Sequence, residues 1–168
     1  SELMISATHT HSGPGGYFDY AIYNMSISGF EPFIYNSIVK AIVESIASAY
    51  SRLKHSRGFF ACSSFEPEIN VAFNRSVKAI NKNPETLNKY NNESRHMAVD
   101  REMKLLSFVD DKGHPFASIN WFGVHTTSVG NDLMNICWDN KGYAAELFEQ
   151  WKASNEKSVD YVASFAQE

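Results

Sequence analysis

Two histidines separated by one residue give the clearest chemical signal in the sequence. His9 and His11 follow a short apolar run at residues 3–8, which predicts a buried strand, and a glycine-rich loop comes directly after them. Because residues i and i+2 of an extended chain point to the same face, both imidazoles could meet one cation or one substrate. Neutral imidazole is a good zinc ligand, and a catalytic zinc usually keeps one position open for water. A His-x-His pair also occurs as ordinary polar surface, so the pattern alone leaves both interpretations open.

A third histidine occupies a similar position later in the chain. His125 follows the apolar segment at residues 119–124, which predicts another strand, and precedes the polar stretch at residues 126–128. Functional side chains in α/β folds tend to collect where strands end. A single histidine is more often a hydrogen-bonded core residue, but two strand ends that both carry histidine favour one shared site. We therefore expect His9, His11 and His125 to lie close together.

Arg75 is the remaining candidate and lies in the triplet Asn74-Arg75-Ser76. The composition of the surrounding loop indicates a solvated arginine. The functional alternative is a fixed guanidinium that binds an oxyanion or a substrate hydroxyl, because its planar array of donors matches such groups. The sequence contains no nucleophile elbow, phosphate-binding loop, dinucleotide-binding glycine motif or His-Glu-x-x-His motif. The hypothesis of an active site therefore depends on the histidines at the predicted strand ends.

Strand and helix patterns alternate around these residues. Pro32 opens the strongest helical pattern, with apolar residues at helical spacing as far as residue 53, and Asp139 is a good N-cap for a second helix. Strands are predicted at residues 3–8, 58–63, 102–109, 116–124 and 159–165. The turn at residues 110–113 makes the third and fourth of these an antiparallel hairpin, and residues 66–96 indicate a loop-rich insertion with one short helix. The prediction is an α/β fold in which a mixed β-sheet is layered with helices.

Composition limits the classes of function. The chain has 168 residues, of which 43% are hydrophobic and 14% aromatic, as is typical of one globular domain. A net charge of −4 argues against a dedicated binder of nucleic acid or anionic membranes, which needs a dense cationic surface. The sequence has no apolar run of about 18 residues, the length that suggests a transmembrane segment. Because predicted strands lie directly at both ends, we expect residues 1–168 to be a single, incomplete domain of a longer chain.

Several motifs together resemble one enzyme family. Residues 5–16, Ile-Ser-Ala-Thr-His-Thr-His-Ser-Gly-Pro-Gly-Gly, resemble the signature near the start of the catalytic domain of the neutral (non-lysosomal) ceramidases. Shorter stretches are similar to further family motifs and follow the family's order, at residues 74–76, 83–84, 100–103, 120–125, 139–144 and 165–167. Val77 and Ile80 depart from the family motif, which has proline and tyrosine there, and this difference concerns the loop next to Arg75.

The resemblance implies an activity and a role for each candidate. The family hydrolyses the amide bond of ceramide to sphingosine and a fatty acid with a bound Zn²⁺. By resemblance, His9 and His125 are zinc ligands, and His11 and Arg75 are catalytic residues near the metal and the amide. The family's glutamate and tyrosine ligands, its nucleophilic serine and its immunoglobulin-like domain have no counterpart in residues 1–168. The remainder of the catalytic domain is therefore expected to supply the missing ligands and the serine.

The same resemblance implies a setting for the parent protein. It would be secreted, extracellular or membrane-associated, and would meet ceramide at a membrane or micelle surface. The chain alone is expected to be inactive, because two histidines without the remaining ligands make a weak zinc site. Two alternative functions are compatible with the same residues: another zinc-dependent amidohydrolase or peptidase, and a truncated homologue that binds lipid without catalysis.

Overall fold

The computed structural model describes residues 3–130, 132–156 and 160–168. Within these ranges the elements, in chain order, are a 3-10 turn at Ala21–Asn24, α1 at Pro32–Ser51, β1 at Arg57–Ser64, α2 at Val77–Ile80, β2 at Glu102–Val109, β3 at Pro115–Phe122, α3 at Asp139–Glu156 and β4 at Val162–Gln167. Helix α1 begins at Pro32 as predicted, since proline lacks the N–H that a first helical residue leaves without an intrahelical partner. The loop-rich insertion is also observed, and α2 is its short helix.

The four strands form one mixed sheet in the order β1-β2-β3-β4. Strands β1, β2 and β3 pair antiparallel, whereas β3 and β4 run parallel. The β2–β3 turn contains Gly113 at φ 84°, and the Asp110 carboxylate accepts hydrogen bonds from the backbone N–H groups of Lys112 and His114. Because parallel strands cannot be joined by a tight turn, the chain crosses from β3 to β4 through α3. The predicted α/β fold with a mixed sheet is confirmed.

The core lies between α3 and the β3–β4 half of the sheet. The ring of Phe148 meets those of Tyr161 and Phe165 edge-on, with centroids 5.6 and 6.3 Å apart. Helix α1 and strand β1 lie outside this core, because none of the 20 residues of α1 is buried and all eight residues of β1 are exposed. Buried residues around the core include Phe122, Ala163 and Ala166 among the apolar ones, and Ser118, Asn120, Thr126, Asp139 and Lys141 among the polar ones.

The predicted strand at residues 3–8 is wrong. These residues, all of which the structure describes, form no strand, although the backbone N–H of Gln167 at the end of β4 donates to the Ala7 carbonyl at 3.0 Å. The side chains of residues 3–5 are 56–67% exposed. An apolar run predicts burial, but the described part of this chain offers these side chains no surface to bury against.

The observed boundaries of two strands also differ from the predicted ones. Strand β3 ends at Phe122, so Gly123 and Val124 leave the sheet and begin the loop that carries His125. Strand β4 begins at Val162 and continues to Gln167, whereas residue 159, the predicted start, lies outside the described residues. Within the described ranges, no helix has the length and apolarity needed to cross a bilayer.

Candidate functional site

The three candidate histidines meet at one point of the molecule. The ring centroids lie 5.2 Å apart for His9 and His11, 4.6 Å for His9 and His125, and 4.7 Å for His11 and His125. One ring nitrogen from each side chain lies within 4.8 Å of the others, and the Nε2 atoms of His11 and His125 are 2.9 Å apart. We call these three residues the histidine cluster. The structure therefore brings together all three histidines that the sequence suggested.

The donor set fits a transition metal such as zinc. Zinc binds imidazole nitrogen at about 2.0–2.1 Å, so two nitrogens in a tetrahedral site lie about 3.3 Å apart. The nitrogen separations in the histidine cluster extend from 2.9 Å to at most 4.8 Å and so span that value. All three side chains are exposed in this chain, which leaves room for further ligands.

His9 reaches the cluster through a turn of its backbone. Its φ is 61°, in the left-handed region that few residues other than glycine adopt. Strand alternation, the predicted reason for the shared orientation of the two rings, therefore does not apply. Thr10 fixes the turn instead, because its Oγ1 donates to the Cys137 carbonyl at 2.7 Å and accepts from the Ser12 N–H at 3.2 Å.

Residues 124–129, which we call the His125 loop, bring the third ring to the cluster. Thr126 in this loop has no exposed surface, and its Oγ1 donates to the Thr8 carbonyl at 2.7 Å. This bond joins the His125 loop directly to the segment that carries His9. The two histidine-bearing segments are therefore tied to each other by side chains, and not by strand pairing.

Arg75 lies on the wall of a cavity that also includes His125. The cavity has a volume of about 560 Å³ and is lined by residues 70–75, Val99 and residues 123–125, 127 and 128. Asn74 fixes the backbone beside Arg75, because its side chain donates to the Ala98 carbonyl at 3.0 Å and accepts from the Ser76 N–H at 2.7 Å. Arg75 and His125 therefore line one space large enough for a substrate head group.

Electrostatics favours the neutral form of His125. Loss of hydration lowers the pKa of His125 below its ordinary value, and the neighbouring charges of His9, His11 and Arg75 lower it further. A neutral ring keeps a nitrogen lone pair available for a metal. The lowered pKa of His125 therefore favours a ring that can act as a metal ligand.

The start of α3 contacts the His125 loop, which the sequence did not predict. Asp139 was predicted as an N-cap and does begin the helix, but with φ 53° and with its carboxylate turned towards the His125 loop. Asn140 and Lys141 also bond to that loop. The similarity at residues 139–144 is the one sequence signal that included Asn140 and Lys141, and it gave them no role.

Comparison with known proteins relates the chain to one family. A family model described as neutral/alkaline non-lysosomal ceramidase, N-terminal, matches residues 1–168. The neutral ceramidase of Pseudomonas aeruginosa is 40% identical over 167 residues, which cover 99% of this chain and 23% of that protein. Neutral ceramidase 1 of Arabidopsis thaliana is 36% identical over 164 residues, which cover 96% of this chain and 20% of that protein. The chain thus spans about a fifth to a quarter of the length of these relatives.

Solved structures agree with the sequence comparison. The crystal structure of the neutral ceramidase from Pseudomonas aeruginosa superposes with a TM-score of 0.81 at 40% identity, over 96% of this chain and 24% of that one. A structure described as ceramidase complexed with C2 gives a TM-score of 0.80 at the same identity, over 96% of this chain and 23% of that one.

Proposed function

Because this chain belongs to the neutral/alkaline non-lysosomal ceramidase family, we propose that it carries part of the active site of an enzyme that hydrolyses the amide bond of ceramide to sphingosine and a fatty acid. The observation that carries the proposal is the convergence of His9, His11 and His125 beside a cavity. Convergence of this kind is what a metal-assisted hydrolase needs, since ligands from distant segments must meet at one ion.

Residues 1–168 are proposed to be one incomplete part of a longer catalytic domain. The relatives that match nearly all of this chain are about four to five times its length, because the match covers 20% to 23% of them. The wholly exposed strand β1 and the helix α1 without buried residues are compatible with further protein packed against them. That further protein is proposed to supply the glutamate, tyrosine and serine that the family resemblance implies.

His9 and His125 are the proposed zinc ligands, and His11 is the proposed catalytic neighbour. The ring of His9 approaches that of His125 to 4.6 Å between centroids. The Nε2 of His11 is only 2.9 Å from that of His125, so coordination by His11 is the competing assignment that an experiment must separate. When bound, zinc would polarise the amide carbonyl or lower the pKa of a bound water to about 7.

Arg75 is the proposed stabiliser of charge on the substrate. Arg75 lines the cavity that contains His125, and the Asn74 side chain holds the adjoining backbone. From there it can donate hydrogen bonds to the oxyanion that forms from the amide carbonyl, or to a head-group hydroxyl. Loss of one such donor usually costs about 100- to 1,000-fold in turnover.

Metal content and turnover of the intact parent protein test these roles. Substitution of His125 or His9 by alanine should abolish zinc binding and ceramide hydrolysis together, because a ligand is lost. His11→Ala and Arg75→Met should retain zinc and lose about 100-fold or more in turnover. His55→Ala is the matched control, because His55 is exposed and does not belong to the histidine cluster. Its Nδ1 lies 2.6 Å from a carboxylate oxygen of Asp111. Normal zinc content in His125→Ala would contradict the ligand assignment.

Substrate preference distinguishes the proposed activity from the two alternatives. A ceramidase should hydrolyse ceramide and leave simple N-acyl peptides intact, whereas a peptidase or another amidohydrolase should reverse that preference. A homologue that only binds lipid should bind ceramide micelles without releasing fatty acid. A secreted or membrane-associated location for the parent is part of the same proposal, because ceramide resides in membranes.

A further inference from the structure

The first three residues of α3 are more buried than a polar helix start normally is. Asp139 is 4% exposed and Lys141 is 2% exposed, and Asn140 between them is half-buried. A buried charge costs free energy unless it is paired or hydrogen-bonded. The hydrogen-bond partners of these residues therefore indicate why such polar side chains are buried here. We call Asp139, Asn140 and Lys141 the α3 clamp.

Two members of the α3 clamp bind the peptide groups on either side of His125. The Nζ of Lys141 donates to the Val124 carbonyl at 2.7 Å, and the Nδ2 of Asn140 donates to the His125 carbonyl at 3.0 Å. The Val124 carbonyl belongs to the peptide that precedes the His125 Cα, and the His125 carbonyl belongs to the peptide that follows it. Fixing both peptide planes sets φ and ψ of His125 and therefore the direction of its Cα–Cβ bond.

The third member holds the far end of the same loop. The carboxylate of Asp139 accepts hydrogen bonds from the backbone N–H groups of Ser128 and Val129, both at 3.1 Å. Asn140 also donates to Ser128 Oγ at 3.0 Å. Both ends of the His125 loop are thus bound to the first turn of one helix.

The residue two positions before the clamp holds the other side of the histidine cluster. The Cys137 N–H donates to the Ser12 carbonyl at 2.9 Å, and its carbonyl accepts from Thr10 Oγ1 at 2.7 Å. Thr10 and Ser12 flank His11 in the chain. One short stretch, residues 137–141, is therefore a common frame for the segments that carry His11 and His125.

We propose that Asp139, Asn140 and Lys141 are positioning residues that hold His125 beside His11, in the place where it can bind a metal together with His9. This inference rests on the proposed metal site and adds residues that bind neither the ion nor the substrate. Outer partners that orient metal ligands typically change metal affinity by about 10- to 100-fold when they are removed. The α3 clamp acts through the His125 backbone, so its loss loosens a ligand without removing one.

Cobalt binding to the intact parent protein tests the inference. Co²⁺ can replace Zn²⁺ at imidazole sites, and its visible absorption spectrum reports ligand geometry. Lys141→Met removes the ammonium and keeps most of the apolar stem, and should weaken Co²⁺ binding about 10- to 100-fold with an altered spectrum. Turnover should be lost at limiting metal and largely recovered at excess metal. Lys152→Met is the matched control, because Lys152 is on the same helix, has a side chain only 13% exposed, and bonds to Glu156 instead of the loop.

A second variant distinguishes the loss of a positioning contact from a general folding defect. Asn140→Ala removes the donors to the His125 carbonyl and to Ser128 Oγ at a half-buried position. It should cause the same loss of Co²⁺ affinity as Lys141→Met. Its thermal midpoint should remain within a few degrees of that of Lys152→Met. If both variants match Lys152→Met in affinity and spectrum, the clamp is overturned while the metal site stands. If the unsubstituted parent binds no Co²⁺, or His125→Ala binds it equally well, the metal site itself fails and the clamp fails with it.

Discussion

At the scale of single residues, Lys141 is the most buried of the described ionisable groups that bond to the His125 loop. Its side chain is almost fully buried, and its ammonium donates to a backbone carbonyl. Burial lowers the pKa of Lys141 from 10.5 to about 8, and the carboxylate of Asp139 offsets part of that effect. The positive charge of Lys141 also contributes to the lowered pKa of His125. A lysine in this position therefore affects both the backbone and the electrostatics of the proposed ligand.

The pKa of Lys141 predicts a pH-dependent contribution to stability. Between pH 8 and 10.5 the folded state holds fewer protons on this amine than the unfolded state, so its contribution to the free energy of unfolding rises with pH. Below pH 8 both states are protonated, and the cost of burying the charge is present in full. The hydrogen bond to Val124 persists throughout, because a neutral amine still donates.

The comparison with Lys141→Met measures this contribution. Thermal midpoints of the metal-free parent protein and of Lys141→Met should be recorded from pH 7 to pH 10, since groups common to both proteins cancel in the difference. The midpoint of the unsubstituted protein should rise relative to that of the variant above pH 8. A difference that is constant or falls over this interval would exclude a depressed lysine pKa.

At the scale of elements, the segment that carries His9 and His11 is held by a few separate hydrogen bonds. The described chain gives it no strand ladder, so its position depends on bonds such as those from Gln167 N–H to the Ala7 carbonyl and from Thr126 Oγ1 to the Thr8 carbonyl. Thr126 is fully buried, so removal of its hydroxyl would take away a partner that water cannot readily replace.

Thr126→Val should loosen this segment selectively. The substitution keeps the shape and removes the hydroxyl, and should lower the free energy of unfolding of the intact parent protein by about 1–2 kcal/mol. Amide hydrogen exchange at residues 3–12 should accelerate, because the segment opens more often. Thr127→Val is the matched control, since Thr127 is the exposed neighbour in the same loop. Equal exchange in both variants would show that the Thr126–Thr8 bond does not hold the segment.

The contrast between predicted and observed elements has a physical basis. The β2–β3 hairpin and helices α1 and α3 follow from local patterns, because turn residues and helical periodicity act over a few positions. The run at residues 3–8 is apolar without being a strand, since pairing depends on partners that its own residues do not encode. The left-handed backbone of His9 and the burial of Lys141 were also beyond prediction, because their partners lie far away in sequence. Convergence of the histidines was expected from two strand ends, yet side-chain bonds produce it.

At the scale of the whole molecule, the chain exposes far more surface than a globular protein of its mass. Its accessible surface is 12628 Å², whereas a compact monomer of 18.9 kDa exposes roughly 8,300 Å². Large apolar side chains contribute to the excess, including Phe33 at 81% and Leu53 at 73% on or beside α1, and Phe60 at 65% on β1. An apolar surface of this extent is typical of a region that other protein covers.

Because the surface of α1 is exposed, we expect Phe33→Lys to have opposite effects in the isolated chain and in the intact parent protein. In the isolated 168-residue chain, Phe33→Lys should reduce self-association and binding of a hydrophobic dye, because it removes an exposed ring. In the intact parent protein the same substitution should lower the free energy of unfolding by several kcal/mol, because a charge would replace a ring that the remaining domain is proposed to bury. Glu44→Gln is the matched control, since it changes net charge equally on an exposed position of α1 and should have little effect in either context.

Size-exclusion chromatography with light scattering and dye fluorescence measures the first effect, and chemical denaturation of the parent measures the second. Addition of a polypeptide that comprises the rest of the parent should suppress dye binding by the isolated chain, because the apolar face of α1 then has a partner. A monodisperse chain that binds no dye, together with a parent that tolerates Phe33→Lys, would mean that α1 faces water in both. Only the greater length of the relatives would then indicate a larger domain.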